Sequence, residues 1–178
     1  NISQKDEDAA QTVLSKLNNE DKQIIEELNS YEEEQAGAFM QKELFCVNIN
    51  ETIDTALKRL KEKKDLNILH DIFHAFLTDD DNNYLGSIGL EELILFERTQ
   101  TFKELPEDKI EHYSFNDKEE IDEVVTMFTN YNLNALAIIN SDNKLLGRVT
   151  HDDVRNLMQE QDTKQLYSLA GVSDKAEE

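Results

Sequence analysis

Hydrophobic residues near the amino terminus recur at helical spacing but form only a narrow apolar stripe. Asn18 and Asn19 interrupt the pattern, and Glu20 and Asp21 open a second segment where acids suit the positive end of a helix dipole. So thin a stripe cannot form a core of its own. The pattern therefore predicts short polar helices over residues 1–35 that end a helical domain or pack on the domain after them. Their apolar positions are Val13, Leu14, Leu17, Ile24, Ile25 and Leu28.

An internal repeat is the most informative pattern in the chain. The segment DNNYLGSIGLEEL begins at Asp81, and DNKLLGRVTHDDV begins 61 residues later, at Asp142. Each copy indicates a turn, a short strand and a helix with acids in its first turn, as the helix dipole favours. The glycines that the copies share, Gly86 and Gly147, are expected to permit close strand packing.

Each copy also has an upstream half, so each unit is predicted to run helix, strand, turn, strand, helix. The first helices begin near Ile53 and Ile121, and β-rich runs come after them at 72–77 and 135–139. The first copy is longer by about one helical turn plus a few residues, near 61–68. One unit alone would leave an apolar face in water, so the two sheets are expected to bury against each other.

The charge excludes one large class of partners. Among 178 residues, 39 are Asp or Glu and 18 are Lys or Arg, which gives a formal charge of −21. Acids outnumber bases in residues 1–40, 41–149 and 150–178 alike, so no nucleic-acid partner is expected, because the phosphate backbone would be repelled. An excess spread this evenly costs the fold self-repulsion that cations would relieve.

The remaining composition indicates a folded domain rather than a disordered or membrane-spanning segment. The hydrophobic content of 38% is supplied by Leu, Ile, Val and eight Phe. Cys46 is the only cysteine, which rules out an internal disulfide and a cysteine-based metal site. No apolar run approaches the roughly 20 residues of a membrane span. Since the chain starts without Met and stops in a charged stretch, we expect an excised piece of a longer protein.

The two repeated motifs resemble a tandem CBS-domain pair, also called a Bateman module, over roughly residues 40–160. That resemblance implies an α/β (α+β) fold preceded by short helices. A weaker copy of the motif runs from Asp81 to Glu92. The strongest copy contains Asp142, Leu146, Gly147, Val149, Thr150 and Asp153.

The flanking segments resemble MgtE-type magnesium transporters. The stretch from Tyr31 to Met40 is similar to the Tyr-(acid)-Thr-Ala-Gly-Gly-Leu-Met junction between the helical domain and the CBS pair of that family. The segment 162–172 is similar to the family's exit toward a connecting helix. The resemblance implies a helical remnant over 1–35, a first CBS domain over 36–100, a second over 101–162 and a connecting segment over 163–178.

The family resemblance implies a regulatory role. The whole protein would be a homodimeric Mg²⁺ transporter or channel, and this chain its sensor at the cytoplasmic face of the membrane, joined to its own membrane domain. Acidic faces would approach when Mg²⁺ bridges them and separate when it leaves, since Mg²⁺ is a hard cation that prefers carboxylates. No catalytic motif is present, and no enzyme activity is expected.

The resemblance also implies metal ligands. Glu120, Asp122 and Asp153 match family carboxylates, while Glu160 and Asp162 could serve through a shift of register. Other family carboxylates are replaced by neutral amides or a cation, which weakens the expected site near the exit helix. The replacing residues are Asn132, Asn156, Gln161, Lys164 and Gln165.

CBS pairs often bind adenosine nucleotides through a Thr-x-x-Asp motif, so the resemblance makes ATP a second expected ligand. Thr150 and Asp153 preserve the motif, whereas the first copy has Gly89 and Glu92 in its place. A CBS-pair nucleotide sensor attached to another effector is therefore the alternative function. An acidic interaction module without a ligand is a third.

Two other motifs are given structural interpretations. His70 and His74 have the spacing of a zinc-protease motif, but the second leads into a β-rich run and no third ligand is evident. The acidic run 79–81 begins like a calcium loop, yet Tyr84 occupies the place of the required glycine. We predict ordinary histidines and a solvated turn.

Overall fold

The computed structural model describes residues 19–175, with side chains to residue 171. The first predicted helix, with Val13, Leu14 and Leu17, lies outside the described residues. The second is confirmed as α1 (Asn19–Asn29), which carries Glu20 and Asp21 in its first turn. A one-turn helix, α2 (Ala36–Phe39), comes next.

The two repeat copies have the same order of strands. The first copy contains β1 (Cys46–Asn48), α3 (Ile53–Asp65), β2 (His74–Thr78) and β3 (Tyr84–Gly89). Three short 3-10 helices, Glu92–Leu95, Phe102–Glu104 and Glu107–Lys109, lead to the second copy. That copy contains β4 (Ser114–Asn116), α4 (Ile121–Tyr131), β5 (Ala135–Ile139), β6 (Leu145–Thr150) and α5 (His151–Lys175).

Each copy forms a three-stranded mixed sheet, in the orders β1-β2-β3 and β4-β5-β6. The first strand of each sheet runs parallel to the second, and the third runs antiparallel to it. β1 and β4 are not predicted by the sequence pattern, because three residues are too few to show a period of two. The other four strands confirm the predicted α/β (α+β) class.

Local capping explains where the two equivalent helices begin and end. The side chain of Thr52 accepts a hydrogen bond from the backbone N–H of Thr55 and so caps α3. α4 ends at Asn132, which adopts the left-handed conformation with φ 51°. The first copy is longer, as predicted, but most of its extra residues lie in the loop 66–73, which corresponds to 132–134 in the second copy.

The predicted closing helix of the first copy is wrong. Its place is taken by the single 3-10 turn Glu92–Leu95, after which Phe96 is extended. The chain then returns across the first core, where Phe102 and Leu105 are buried. These two side chains supply apolar cover that a closing helix would otherwise give, and Ile94 is left 84% exposed.

The second copy does end in a helix, α5, which has 25 residues and continues past residue 162 without a break. Its first turn contains the predicted acids Asp152 and Asp153. Within residues 19–175, no helix is long and apolar enough to cross a membrane.

The two sheets bury against each other, as the repeat predicted. Their hairpins also exchange backbone hydrogen bonds, from Tyr84 N–H to Asn143 O at 2.9 Å and from Leu145 N–H to Asn82 O at 3.2 Å. The shared contact therefore joins the two copies through both side chains and backbone. Its buried residues are Phe76, Tyr84, Ala135, Ala137 and Leu145.

Gly86 and Gly147 make room for the backbone of a linker segment rather than for a neighbouring strand of the same sheet. Gln41 pairs with Arg148 on β6, and Glu111 pairs with Ser87 on β3. A Cβ on Gly147 would lie 2.7 Å from the carbonyl oxygen of Gln41. The predicted close packing is present, but the partner of each glycine is the segment that precedes the other copy.

Candidate functional site

An acidic groove of about 250 Å³ lies where the start of α4 meets the middle of α5 and the segment before α2. Backbone contacts set its shape: Ile121 N–H donates to Glu34 O at 2.8 Å, and Gln35 pairs with Glu120. The first-turn acids of α4 are favoured by the helix dipole. The acidic groove is lined by Glu33, Glu34, Phe39, Glu120, Ile121, Asp122, Leu157, Glu160, Gln161 and Lys164.

The groove brings together three of the five predicted metal ligands, Glu120, Asp122 and Glu160. Asp153 and Asp162 are not among its lining residues. All three grouped carboxylates are exposed, so water weakens the repulsion between them.

Two neutral or basic side chains occupy the same groove. Gln161 Nε2 donates a hydrogen bond of 2.8 Å to Asp122 Oδ1. Lys164 also lines the groove, and its positive charge opposes the binding of a cation there. Within residues 19–171, no three His, Cys, Asp or Glu side chains are arranged to hold a metal ion. The groove is therefore an open carboxylate surface rather than a closed coordination cage.

Thr150 and Asp153 form a capping box at the start of α5. Asp153 Oδ2 accepts from the backbone N–H of Thr150 at 2.9 Å and from its hydroxyl at 2.8 Å. Gln41 Nε2 also donates to Asp153 Oδ2, at 2.9 Å. The carboxylate predicted to contact a ribose is thus already occupied by the protein's own donors.

A cleft of about 270 Å³, here called the threonine cleft, opens beside Thr150. Arg148 is 2% exposed on its wall, donates to Asp71 O at 3.0 Å, and has no hydrogen-bond partner at Nε among the described residues. Burial lowers the pKa of Arg148. Asp153 is not among the lining residues, and its carboxylate accepts hydrogen bonds from Gln41 Nε2. The cleft is lined by Gln41, Glu43, His70, Asp71, Phe73, Arg148, Thr150 and Asp152.

A larger cleft of about 580 Å³, here called the tyrosine cleft, lies at the equivalent place beside the first copy. The residues that replace the motif in the first copy do not line this cleft: Glu92 is ion-paired with Lys109 at 3.0 Å, and Gly89 supplies no hydroxyl. This cleft is not predicted by the sequence pattern, because most of its walls come from the inter-copy linker and the loop after α4. Only the repeat alignment pointed to its position. Its lining residues are His74, Asp108, Ile110, Glu111, His112, Tyr113, Tyr131, Asn132, Leu133 and Asn134.

The structural interpretations of the other two motifs are confirmed. His74 lies buried on β2, while His70 is exposed in a loop with its Nε2 3.2 Å from Asn67 Oδ1. The two imidazoles therefore do not share a helix face, as a zinc protease requires. Asp79 Oδ1 accepts from the backbone N–H groups of Asp81 and Asn83, both at 2.9 Å, which makes this segment a turn.

Comparison with known proteins agrees with this fold. The CBS domain model matches residues 36–98 and 110–160. The magnesium transporter MgtE of Enterococcus faecalis is 28% identical over 148 residues, which are 83% of this chain and 32% of that protein. MgtE of Thermus thermophilus is 24% identical over 148 residues, which are again 83% of this chain and 32% of that protein. The chain therefore spans about a third of the length of these relatives.

Solved structures give the same result. The soluble part of a magnesium transporter superposes with a TM-score of 0.73 at 27% identity, over 83% of this chain and 56% of that one. The cytosolic domain of the Mg²⁺ channel MgtE in complex with ATP has a TM-score of 0.74 at 21% identity, over 83% and 58%. These relatives are parts of transporters rather than enzymes. The chain belongs to the CBS-domain family, as a tandem pair of the type found in the cytosolic region of MgtE-type magnesium transporters.

Proposed function

We propose that this chain is the cytosolic Mg²⁺-sensing region of an MgtE-type magnesium transporter. The observation that carries the proposal is the acidic groove, which gathers Glu120, Asp122 and Glu160 between α4 and α5. The similarity to named magnesium transporters supports it. Mg²⁺ keeps several of its waters and binds through one or two carboxylates, so an open groove suits it better than a closed cage.

The groove can convert ion occupancy into a change of packing. Its walls come from three segments, since Glu34 precedes α2, Asp122 begins α4 and Glu160 lies on α5. Without a cation their carboxylates repel one another, and a bound Mg²⁺ favours the arrangement that holds them together. In a homodimer attached to its own membrane domain, α5 would carry that change toward the membrane and close the pore.

A Mg²⁺ titration of the chain tests this proposal. We expect Mg²⁺ to raise the melting temperature and to compact the particle in small-angle scattering. The triple variant Glu120→Gln, Asp122→Asn, Glu160→Gln should lose most of both responses. A matched variant, Glu62→Gln, Asp65→Asn, Glu97→Gln, removes three exposed carboxylates elsewhere and should keep them. Equal responses in the two triple variants would refute a role for the groove.

An adenosine nucleotide sensor is the second candidate function. The threonine cleft favours it, because Thr150 lies at the position where the family motif contacts the nucleotide. ATP would have to displace Gln41 from Asp153 to reach that carboxylate. We therefore expect Gln41→Ala to strengthen ATP binding in calorimetry. No heat from ATP in either protein would rule this function out.

A further inference from the structure

We propose that the entry linker, residues 40–45 between α2 and β1, couples the loop 66–73 of the first copy to the start of α5. The loop is the segment that lengthens the first copy, and it contributes His70, Asp71 and Phe73 to the wall of the threonine cleft. α5 is the long helix that ends the second copy. The coupling requires neither Mg²⁺ nor a nucleotide, so it does not rest on either candidate function.

A buried arginine of the second copy holds the loop. Arg148 on β6 donates from Nη1 to Asp71 O at 3.0 Å and from Nη2 to His70 O at 3.4 Å. Its side chain is 2% exposed, and within the described part of the chain its acceptors are these two carbonyls and the amide oxygen of Gln41. A buried charge that loses its acceptors is costly, so Arg148 favours the arrangement in which the loop stays against it.

Gln41 joins Arg148 to the start of α5. The two backbones pair in both directions, from Gln41 N–H to Arg148 O at 2.7 Å and from Arg148 N–H to Gln41 O at 2.9 Å. Gln41 Nε2 donates to both carboxylate oxygens of Asp153, at 3.0 and 2.9 Å, while its Oε1 accepts from Arg148 Nη2 at 3.4 Å. Because a carboxylate only accepts and a guanidinium only donates, this orientation of the amide satisfies both neighbours. A shift of Asp153 therefore disturbs the amide that Arg148 contacts.

The entry linker reaches the loop a second time through Glu43. The backbone N–H of His70 donates to Glu43 Oε1, and His70 Nδ1 lies 3.5 Å from the same oxygen. Gln41 thus contacts the start of α5, and Glu43 contacts the loop, with one residue between them. A movement of the linker at one of these contacts is therefore transmitted to the other.

The exposed turn of the loop is the element with two arrangements. Leu69 and Ile72 anchor the loop in the first core, but His70 and Asp71 between them are exposed. Asp71 adopts the left-handed conformation with φ 48°, which is less stable for residues other than glycine, so the turn depends on its contacts with Arg148 and the linker. We expect the turn to open locally, and to open more often when the linker contact with α5 is broken.

Exchange of backbone amide protons with water, measured by NMR on the whole chain, tests the coupling. We expect Asp153→Ala and Gln41→Leu each to speed exchange of the His70 amide roughly three- to tenfold, because each removes the Gln41–Asp153 contact. The double variant should exchange no faster than the faster single variant, since both changes break the same contact. The Phe76 amide, bonded to Phe45 O at 2.9 Å, should keep its rate.

Asp152→Ala is the matched control, because it removes the neighbouring exposed carboxylate from the same first turn of α5. It should leave the His70 rate unchanged. An unchanged His70 rate in both single variants would overturn the proposal, and so would equal acceleration by Asp152→Ala. Additive effects in the double variant would show two independent causes, and equal acceleration at Phe76 would show unfolding of the whole first copy; either result would also overturn it.

Discussion

At the scale of single residues, the positive charge of Lys164 should weaken the binding of Mg²⁺ in the acidic groove. Lys164 lines the groove together with the carboxylates that would bind Mg²⁺. We expect Lys164→Gln to increase the apparent Mg²⁺ affinity roughly threefold or more, because an opposing exposed charge is worth on the order of 1 kcal/mol. Thermal shift against Mg²⁺ concentration measures the effect. Lys118→Gln, an exposed lysine outside the groove, is the control and should change the affinity less.

His74 makes the stability of the fold depend on pH. Burial lowers the pKa of His74, and this outweighs the nearby Glu111 and Glu91, which raise it, while Arg148 lowers it further. The unfolded chain therefore binds a proton at His74 at a higher pH than the folded chain does. The free energy of unfolding should be fully retained above the ordinary histidine pKa of about 6.5 and should fall as the pH drops toward the lower folded value.

Urea unfolding at several pH values measures this slope. We expect His74→Asn to flatten the curve below pH about 6.5, whereas His112→Asn, at an exposed imidazole, should leave most of the slope in place. Identical curves for His74→Asn and the unsubstituted chain would contradict the assignment.

At the scale of elements, the capping box makes Thr150 a structural residue before it is a ligand contact. Its hydroxyl bonds Asp153, and the residue is 9% exposed at the start of α5. Thr150→Val should lower the free energy of unfolding by about 1 kcal/mol, as loss of a cap does. Thr163→Val, an exposed site on the same helix, should change it by less than about 0.5 kcal/mol. If urea unfolding showed equal losses of unfolding free energy in the two variants, the capping role of Thr150 would be contradicted.

The sequence predicted the elements whose pattern is local. α3, α4, β5 and β6 were predicted from helical spacing, β-rich runs and the repeat itself. It could not predict β1 or β4, which become strands only by pairing with β2 and β5. The helix expected after Glu92 failed because Phe102 and Leu105 return through a linker to fill the same space. Residues so far along the chain leave no mark on the hydrophobic pattern near Glu92, so the pattern there could not show that the helix is absent.

The candidate sites show the same division. Glu120, Asp122 and Glu160 were all expected as metal ligands from the resemblance, and they line one groove in the structure, whereas Asp162 is not among its lining residues. Asp153 was expected to serve both metal and ribose, but Gln41, 112 residues away in the chain, holds its carboxylate. A contact across that separation is visible only in the folded chain.

At the scale of the whole molecule, the charge of −21 should make stability respond to salt. KCl screens the self-repulsion, so the melting temperature should rise with ionic strength. MgCl₂ at equal ionic strength should raise it further, because binding to the folded state adds to screening. Differential scanning calorimetry separates the two contributions. Coincident curves for the two salts would mean that the chain senses only ionic strength.

The segment that precedes each copy packs on the other copy, and this arrangement has a mechanical consequence. The segment that leads into the first copy packs on the second: Ala36 N–H donates to Glu119 O, Gly37 N–H to Asp117 O, and Ala36 and Met40 belong to the second core. α1 joins the same core through Leu28. A pull on α1 therefore bypasses the first copy and acts directly on the second copy, which carries α5. α1 and α5 both attach to the second copy, and the first copy packs alongside it.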